Sequence, residues 1–270
     1  MAVPATAIDP MISVWCRGSA DQFMPEAIVS RLGDQVRRHP WWRARARLII
    51  RLLGELGVSP PVPVLDAGCG WGSTLIALEQ AGYQAVGLDV SRAALERLDQ
   101  PGRTLIEADL TRPWVEVASN IPFTAVLALD VIEHLDDDQA CLRQLAGLVA
   151  PAGRLVVSVP ALPELYSEFD EVQGHRRRYT PDRLRKAFDT SGLEVDRVFW
   201  WGQWLVPLFA RRGRKAADRD PTECYLDHLK LPPWPAPWLI ERILALEEPW
   251  ALAGKLGRGT SLVAVASRSE

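Results

Sequence analysis

The chain has 270 residues, 48% of them apolar, with a formal net charge of −3 and a pI near 5.9. That length and composition allow one large globular core with additions, and the acidic balance argues against a surface built to neutralise phosphates, so nucleic acid is not an expected partner. Four scattered cysteines, Cys16, Cys69, Cys141 and Cys224, form no C-x-x-C pair, and no stretch has the apolar length of a bilayer span or the pattern of a secretory leader, which together suit a cytoplasmic setting.

Residues 1–58 read as a helical extension, because Trp42, Ala46, Ile49, Leu52 and Leu53 recur at helical spacing between arginines. Residues Val64 to Gly72 then read VLDAGCGWG: an apolar strand, an acid, and glycines at alternate positions, Gly68, Gly70 and Gly72. Residues without side chains let the backbone turn sharply and present N–H groups to a ligand where a helix begins. A dinucleotide turn would place its last two glycines three apart; here they are two apart, and Asp66 would repel a pyrophosphate. The turn therefore points to a ligand with a cationic amine and no phosphates.

From residue 62 onward short apolar runs alternate with helical ones: strands at 62–66, 84–89, 103–107, 123–129 and 153–159, helices at 72–81, 91–99 and 137–149. Such alternation implies a parallel sheet with helices on both faces, its ligand beyond the carboxyl ends of the strands, where Gly68, Asp89, Asp109 and Asp130 fall. A loop over 160–179, a helix over 181–190 capped by Thr180, and strands at 193–201 and 261–266 follow. Between those strands, 202–259 is far longer than a hairpin turn, six of the eleven tryptophans lie between residues 200 and 250, and prolines are expected to divide the insertion into two or three helices. It is expected to be a cap with tryptophans filling its own core, a dimer contact, or an acceptor site. In the last case Trp204, Leu205, Leu208 and Phe209 stand beside Arg211, Arg212, Arg214 and Lys215, a combination suited to a membrane interface or a lipid phosphate. The domain reading is thus an extension over 1–58, a core over 59–201 and 260–270, and an insertion over 202–259.

VLDAGCGWG resembles the first motif of the class I S-adenosylmethionine-dependent methyltransferases. QAVGLD (84–89), TLIEADL (104–110) and FTAVLALD (123–130) running into VIEHL supply further landmarks in the family's order between Val62 and Ser158. The resemblance implies a Rossmann-like seven-stranded α/β sheet, the last two strands forming a hairpin edge, and S-adenosylmethionine as cofactor with S-adenosylhomocysteine as product. Carried over residue by residue, Asp66, Gly68 and Gly70 hold the amino-acid part, Asp89 beside Val90 accepts the ribose hydroxyls, Asp109 and Leu110 meet the adenine, and Asp130 is a further cofactor contact. Arg43 is either the contact for the cofactor carboxylate or an exposed helical arginine.

Methyl transfer from a sulfonium is an in-line displacement that mainly demands alignment in a dry pocket, although an alcohol or phenol acceptor benefits from a base. His134, in DVIEHL, and His175, in GHRRRYT, are the catalytic candidates. The stretch from SEFDEVQGHRRRYTPDRL is similar to a subgroup of bacterial type 11-like methyltransferases associated with glycan, lipid or secondary-metabolite pathways. There Arg177, Arg178 and Tyr179, with Trp204 from the insertion, either clamp the acceptor or pair with Glu168, Asp170 and Glu171. Asp130, Glu133 and His134 are also similar to the cation-holding set of ubiquinone-type O-methyltransferases, but the first acid is Asp rather than Glu, and no metal is expected. The expected activity is O-methylation of a small-molecule, glycan or lipid-linked acceptor by a monomer or homodimer, with peripheral membrane contact left open. The alternatives are an N- or C-methyltransferase and an inactive binding protein of the same fold.

Overall fold

A computed structural model of the chain describes residues 12–18, 35–113, 122–212, 223, 229–230 and 233–268. The strands are β1 Ile12–Cys16, β2 Pro63–Ala67, β3 Gln84–Asp89, β4 Thr104–Ala108, β5 Phe123–Leu129, β6 Val149–Pro160, β7 Glu194–Trp201 and β8 Ser261–Ser267. They form one sheet in the order β1-β4-β3-β2-β5-β6-β8-β7. The first six run parallel, and β8 is antiparallel to both β6 and β7, which makes the expected hairpin edge. The extension is not wholly helical: β1 pairs with β4 and adds an eighth strand to the expected seven. Its sequence, ISVWC, is rich in β-branched and aromatic residues that suit a pleated edge better than a helix.

Both faces of the sheet are covered, as near-continuous apolar strands require. Alternation along β5 sends Ala125, Leu127 and Leu129 to one core and Val126 and Ala128 to the other. Helices α1 (Pro40–Glu55), α2 (Ser73–Gln80) and α3 (Arg92–Leu98) cover the first face, while α4 (Asp138–Gly147) and α6 (Pro181–Ala187) cover the second. Their starts are locally encoded. His39 Nδ1 accepts from the Trp41 N–H ahead of α1, Ser91 Oγ from the Ala94 N–H ahead of α3, and Thr180 Oγ1 from the Arg183 N–H ahead of α6. The loop after β6 also holds a short helix, α5 (Glu168–Val172), closed by a capping box between Ser167 and Asp170.

The insertion contributes α7 (Val206–Arg212) and α8 (Ala236–Leu252), and Pro249 lies within α8 instead of ending it. Leu244, Ala251 and Leu252 of α8 pack with Leu48, Ile49 and Leu52 of α1 and with Phe199 and Trp201 of β7. Ion pairs Arg43–Glu241 (3.3 Å) and Arg47–Glu248 (2.6 Å) tie the two helices further. Trp201 is buried and stacks on Trp41 at 4.2 Å, but Trp204, Trp234, Trp238 and Trp250 are exposed, so these four do not fill a core of the insertion. Arg214 and Lys215, and the side chains of Arg211 and Arg212, lie outside the described residues. No described helix is long and apolar enough to cross a membrane.

Glu247 fixes the insertion's entry. Fully buried, it accepts the N–H groups of Gly202 (2.5 Å), Gln203 (3.0 Å) and Trp204 (3.5 Å) just after β7. Glu247→Ala would leave those donors without an acceptor, so urea unfolding of this variant is expected to show a loss of about 2–4 kcal/mol, with Glu247→Gln losing roughly half as much.

Candidate active site

The turn between β2 and α2 is held in the left-handed region at Gly68 (φ 78°), Gly70 (φ 49°) and Gly72 (φ 76°). A Cβ at Gly68 would strike Val131 Cγ2, so the turn lies directly against the first residues after β5. Asp66, at the end of β2, is buried, and its Oδ2 has no hydrogen-bond partner among the described residues. Burial pushes its carboxyl up to about 7, Arg45 opposing and Asp89 adding to the rise. At the end of β3, Asp89 accepts the Gly70 N–H through Oδ2 and the Ser91 N–H through Oδ1, both at 2.8 Å. Burial raises its pKa against the pull of these N–H groups. Buried Asp109, beyond β4, accepts the Thr111 N–H and hydroxyl, and buried Leu110 follows it. Cys69, buried beside Asp89 and Asp66, has its thiol pKa pushed well up and stays inert.

After β5 the chain turns at Asp130, which adopts φ 57°, a strained value outside glycine. Its carboxylate pairs with Arg45 of α1 and accepts the Ser158 hydroxyl at 3.1 Å. One short 3₁₀ turn, Ile132–His134, then places Glu133 and His134 beside His175. The imidazoles of His134 and His175 meet edge to face with centroids 4.7 Å apart, and His175 Nε2 lies 4.0 Å from Glu133 Oε1. Glu133 is fully buried, and neither of its carboxyl oxygens has a partner in another described residue. Burial and then the nearby Asp130 raise its pKa well above the ordinary range. His134 is pushed down to about 3 by burial and by His175, and its Nδ1 is likewise without a partner.

His175 is oriented from behind, its Nδ1 donating to Asp170 Oδ1 at 2.9 Å. Burial alone would raise Asp170, but hydrogen bonds and charge from His175 and Arg178 outweigh it and hold the carboxylate below its usual range. The ligand atoms of Glu133, His134 and His175 all lie within 4.8 Å of one another, a set that could also gather round a divalent cation.

A model of the family described as a methyltransferase domain matches residues 41–198, from α1 through most of β7. The chain belongs to the class I methyltransferase family. It is 24% identical over 164 residues to an O-methyltransferase of Pyrenophora dematioidea, covering 56% of this chain and 61% of that one. It is 27% identical over 218 residues to a 27-O-demethylrifamycin SV methyltransferase of Amycolatopsis mediterranei, covering 71% and 77%. A SAM-dependent methyltransferase from Archaeoglobus fulgidus shares the fold with a TM-score of 0.53 at 17% identity, over 84% of this chain and 92% of that one. The chain thus spans about three fifths of the length of the first of these relatives.

The family's cofactor, S-adenosylmethionine, suits this donor set. A buried carboxyl oxygen without a hydrogen-bond partner at Asp66 calls for a cation, open space stands against the backbone at Gly70, and Asp89 keeps unused lone pairs. Asp66, Gly68, Gly70, Asp89, Val90, Asp109 and Leu110 fall at the carboxyl ends of neighbouring strands of one sheet. Arg43 does not join them, being 59% exposed at its side chain and paired with Glu241 on α8; the arginine facing Asp130 is Arg45.

The GHRRRY segment is also used differently from an acceptor clamp. Arg177 pairs with Asp138 (3.3 Å) and donates to the carbonyls of Leu135 and Asp136. Arg178 pairs with Asp170 (2.8 Å) and donates to the Ala161 carbonyl, while Tyr179 donates to Asp138 (2.8 Å) from full burial. Arg177 and Tyr179 thus bind the loop to the segment after β5, while Arg178 fixes Asp170, the carboxylate that holds His175. Trp204 stands 58% exposed in the turn after β7, its backbone held by Glu247.

Proposed function

We propose that this methyltransferase-family chain transfers a methyl group to a hydroxyl oxygen of a small-molecule or lipid-linked acceptor. The observation that carries this reading is the trio of buried polar atoms without partners, both oxygens of Glu133 and Nδ1 of His134, one helical turn from the cofactor cradle. Buried polar atoms are costly unless something pairs with them, and an acceptor hydroxyl supplies both a donor and an acceptor. The names of the two curated relatives support oxygen as the receiving atom.

S-adenosylmethionine, when bound, supplies an electrophilic methyl group on a good leaving group. The protein's own work is to exclude water, hold the hydroxyl in line and take its proton. Neutral Glu133 donates to the acceptor oxygen, and His134 Nδ1 accepts from a neighbouring group of the acceptor, because an imidazole pushed to about 3 stays neutral. His175 takes the hydroxyl proton, since the Asp170 carboxylate behind its Nδ1 fixes the ring and stabilises the imidazolium.

The test is transfer of labelled methyl from S-adenosylmethionine to a panel of phenols, sugars and polyketide alcohols. On a substrate so found, His175→Asn should lower kcat about thirtyfold with KM little changed, less than many general bases because the leaving group is good. His134→Asn should instead act mainly on KM. Tight cofactor binding with transfer to no hydroxyl compound would overturn the proposal in favour of a binding protein, and transfer to amines alone would move the acceptor to nitrogen. Loss of activity in EDTA would assign the proton's removal to a cation held by Glu133, His134 and His175.

A further inference from the structure

Helix α8 is built the reverse of an ordinary surface helix. Its acids turn inward: Glu241 to Arg43, Glu248 to Arg47, and Glu247 to the backbone after β7. Leu244 and Leu252 are buried against α1 and the sheet, but other large apolar side chains turn outward, with Trp238 48%, Leu246 72% and Trp250 53% exposed. Trp238, Arg242, Leu246 and Trp250 recur every four residues, so at 3.6 residues per turn they form one stripe covering roughly a third of the circumference. Trp234, 76% exposed, continues the stripe before the helix and lies 6.4 Å from Trp238 between ring centroids. An amphipathic helix normally buries such residues and exposes its acids, and a contiguous apolar surface of this kind marks a docking site.

The charges decide what docks. Between residues 233 and 258 Glu247 and Glu248 are buried and Glu241 is paired inward with Arg43, whereas Arg242 and Lys255 are exposed; Arg258 is exposed too but pairs with Glu164. Arg242 lies over the Trp238 ring at 5.5 Å, a cation held beside an amphipathic aromatic. Tryptophan and leucine flanking Arg242 on a stripe that carries no acid match the interface of a bilayer carrying anionic headgroups, where indole rings sit at headgroup level. A second copy of the chain would bring only the same cations to the contact.

We propose that the outward stripe of α8 docks this protein onto an anionic lipid surface. The helix lies in the interface with its acid-bearing side still packed on α1, so docking needs no unfolding of the core. The experiment uses the full chain with vesicles of phosphatidylcholine alone or mixed with phosphatidylglycerol, read by sedimentation and by quenching of tryptophan fluorescence with brominated lipid. The chain should bind the mixed vesicles and not the neutral ones, and Trp238→Ser with Trp250→Ser should weaken binding about tenfold or more while S-adenosylmethionine binding stays unchanged. Equal sedimentation of the parent and the double variant, or none by either, would overturn the proposal. Concentration-dependent dimerisation abolished by the double variant, without vesicle binding, would overturn it in favour of a second copy.

Discussion

Asp89→Ala should weaken S-adenosylmethionine binding about a thousandfold, the largest single loss expected in the cofactor site. A carboxylate offers about four lone-pair positions, and here one on each oxygen is taken by a backbone N–H, from Gly70 and from Ser91. The two that remain suit a pair of vicinal hydroxyls. Two hydrogen bonds to a charged acceptor contribute roughly 1.5–3 kcal/mol each, and the alanine removes both together with the group that holds Gly70 in place. Calorimetric titration separates these parts. A cofactor analogue lacking both ribose hydroxyls should bind the parent protein weakly and lose much less on the substitution; an equal loss for both ligands would mean that Asp89 serves the turn alone. An affinity for the natural cofactor within tenfold of the parent would refute the ribose role altogether.

The glycine turn and the strand ends around it are legible in sequence because strand patterning and glycine positions are local properties. β3, Gln84–Asp89, and β5, Phe123–Leu129, fall on the residues that alternation predicts. The N-terminal arginine was not legible in the same way. Two positions along a helix are about 200° apart, so Arg43 and Arg47 face α8 while Arg45, between them, faces the site. The signal was present: Arg45 shares its face with Ile49 and Leu52, both fully buried, and an arginine on an apolar face needs a buried acid, which Asp130 supplies. The resemblance alone points to Arg43, and the structure shows the other alternative for it, an exposed helical arginine.

Of the two readings of the GHRRRY segment, clamp or pairing with upstream acids, the structure shows pairing, with Arg178 on Asp170. Composition cannot distinguish arginines that wait for a ligand from arginines already paired, because the acid that satisfies Arg177, Asp138 at the start of α4, is distant in sequence, and only Asp170, which satisfies Arg178, lies in the same stretch. Asp170 was visible upstream only as a charge, although its place three residues after Ser167 is a capping signature that the structure uses. The outward face of α8 was hidden too. The tryptophans of 202–259 were conspicuous, but which side of a helix faces the core depends on its partner, and α8 takes α1 as partner through paired charges as well as apolar contact.

Affinity for S-adenosylmethionine should fall about tenfold per pH unit as the pH drops below about 7, because of Asp66. In the free protein burial lifts this carboxyl to about 7, with Arg45 opposing and Asp89 reinforcing. A bound ammonium beside it favours the ionised form and draws the pKa down again. Binding below pH 7 must therefore expel a proton from Asp66, and the work grows with every unit of acidity until the pKa of the complex is reached. In the free protein the sign is reversed: the fold binds the proton more tightly than the unfolded chain, so this group's contribution to stability is lost as the pH rises from about 4 to about 7. On the alkaline side, an amino group near its ordinary pKa of about 8 loses its charge and affinity declines again, leaving an optimum between about 7 and 8. Asp66→Asn removes the group that titrates. Its affinity at neutral pH should be lower by about a hundredfold, the cost of truncating one partner of a buried charge pair, and the acid limb should vanish while the alkaline limb persists. Titrations at half-unit intervals between about pH 5 and 9, with proton uptake measured in two buffers of different ionisation enthalpy, read both quantities. An acid limb retained in Asp66→Asn would move the titrating group elsewhere and place the cofactor's amine away from the end of β2.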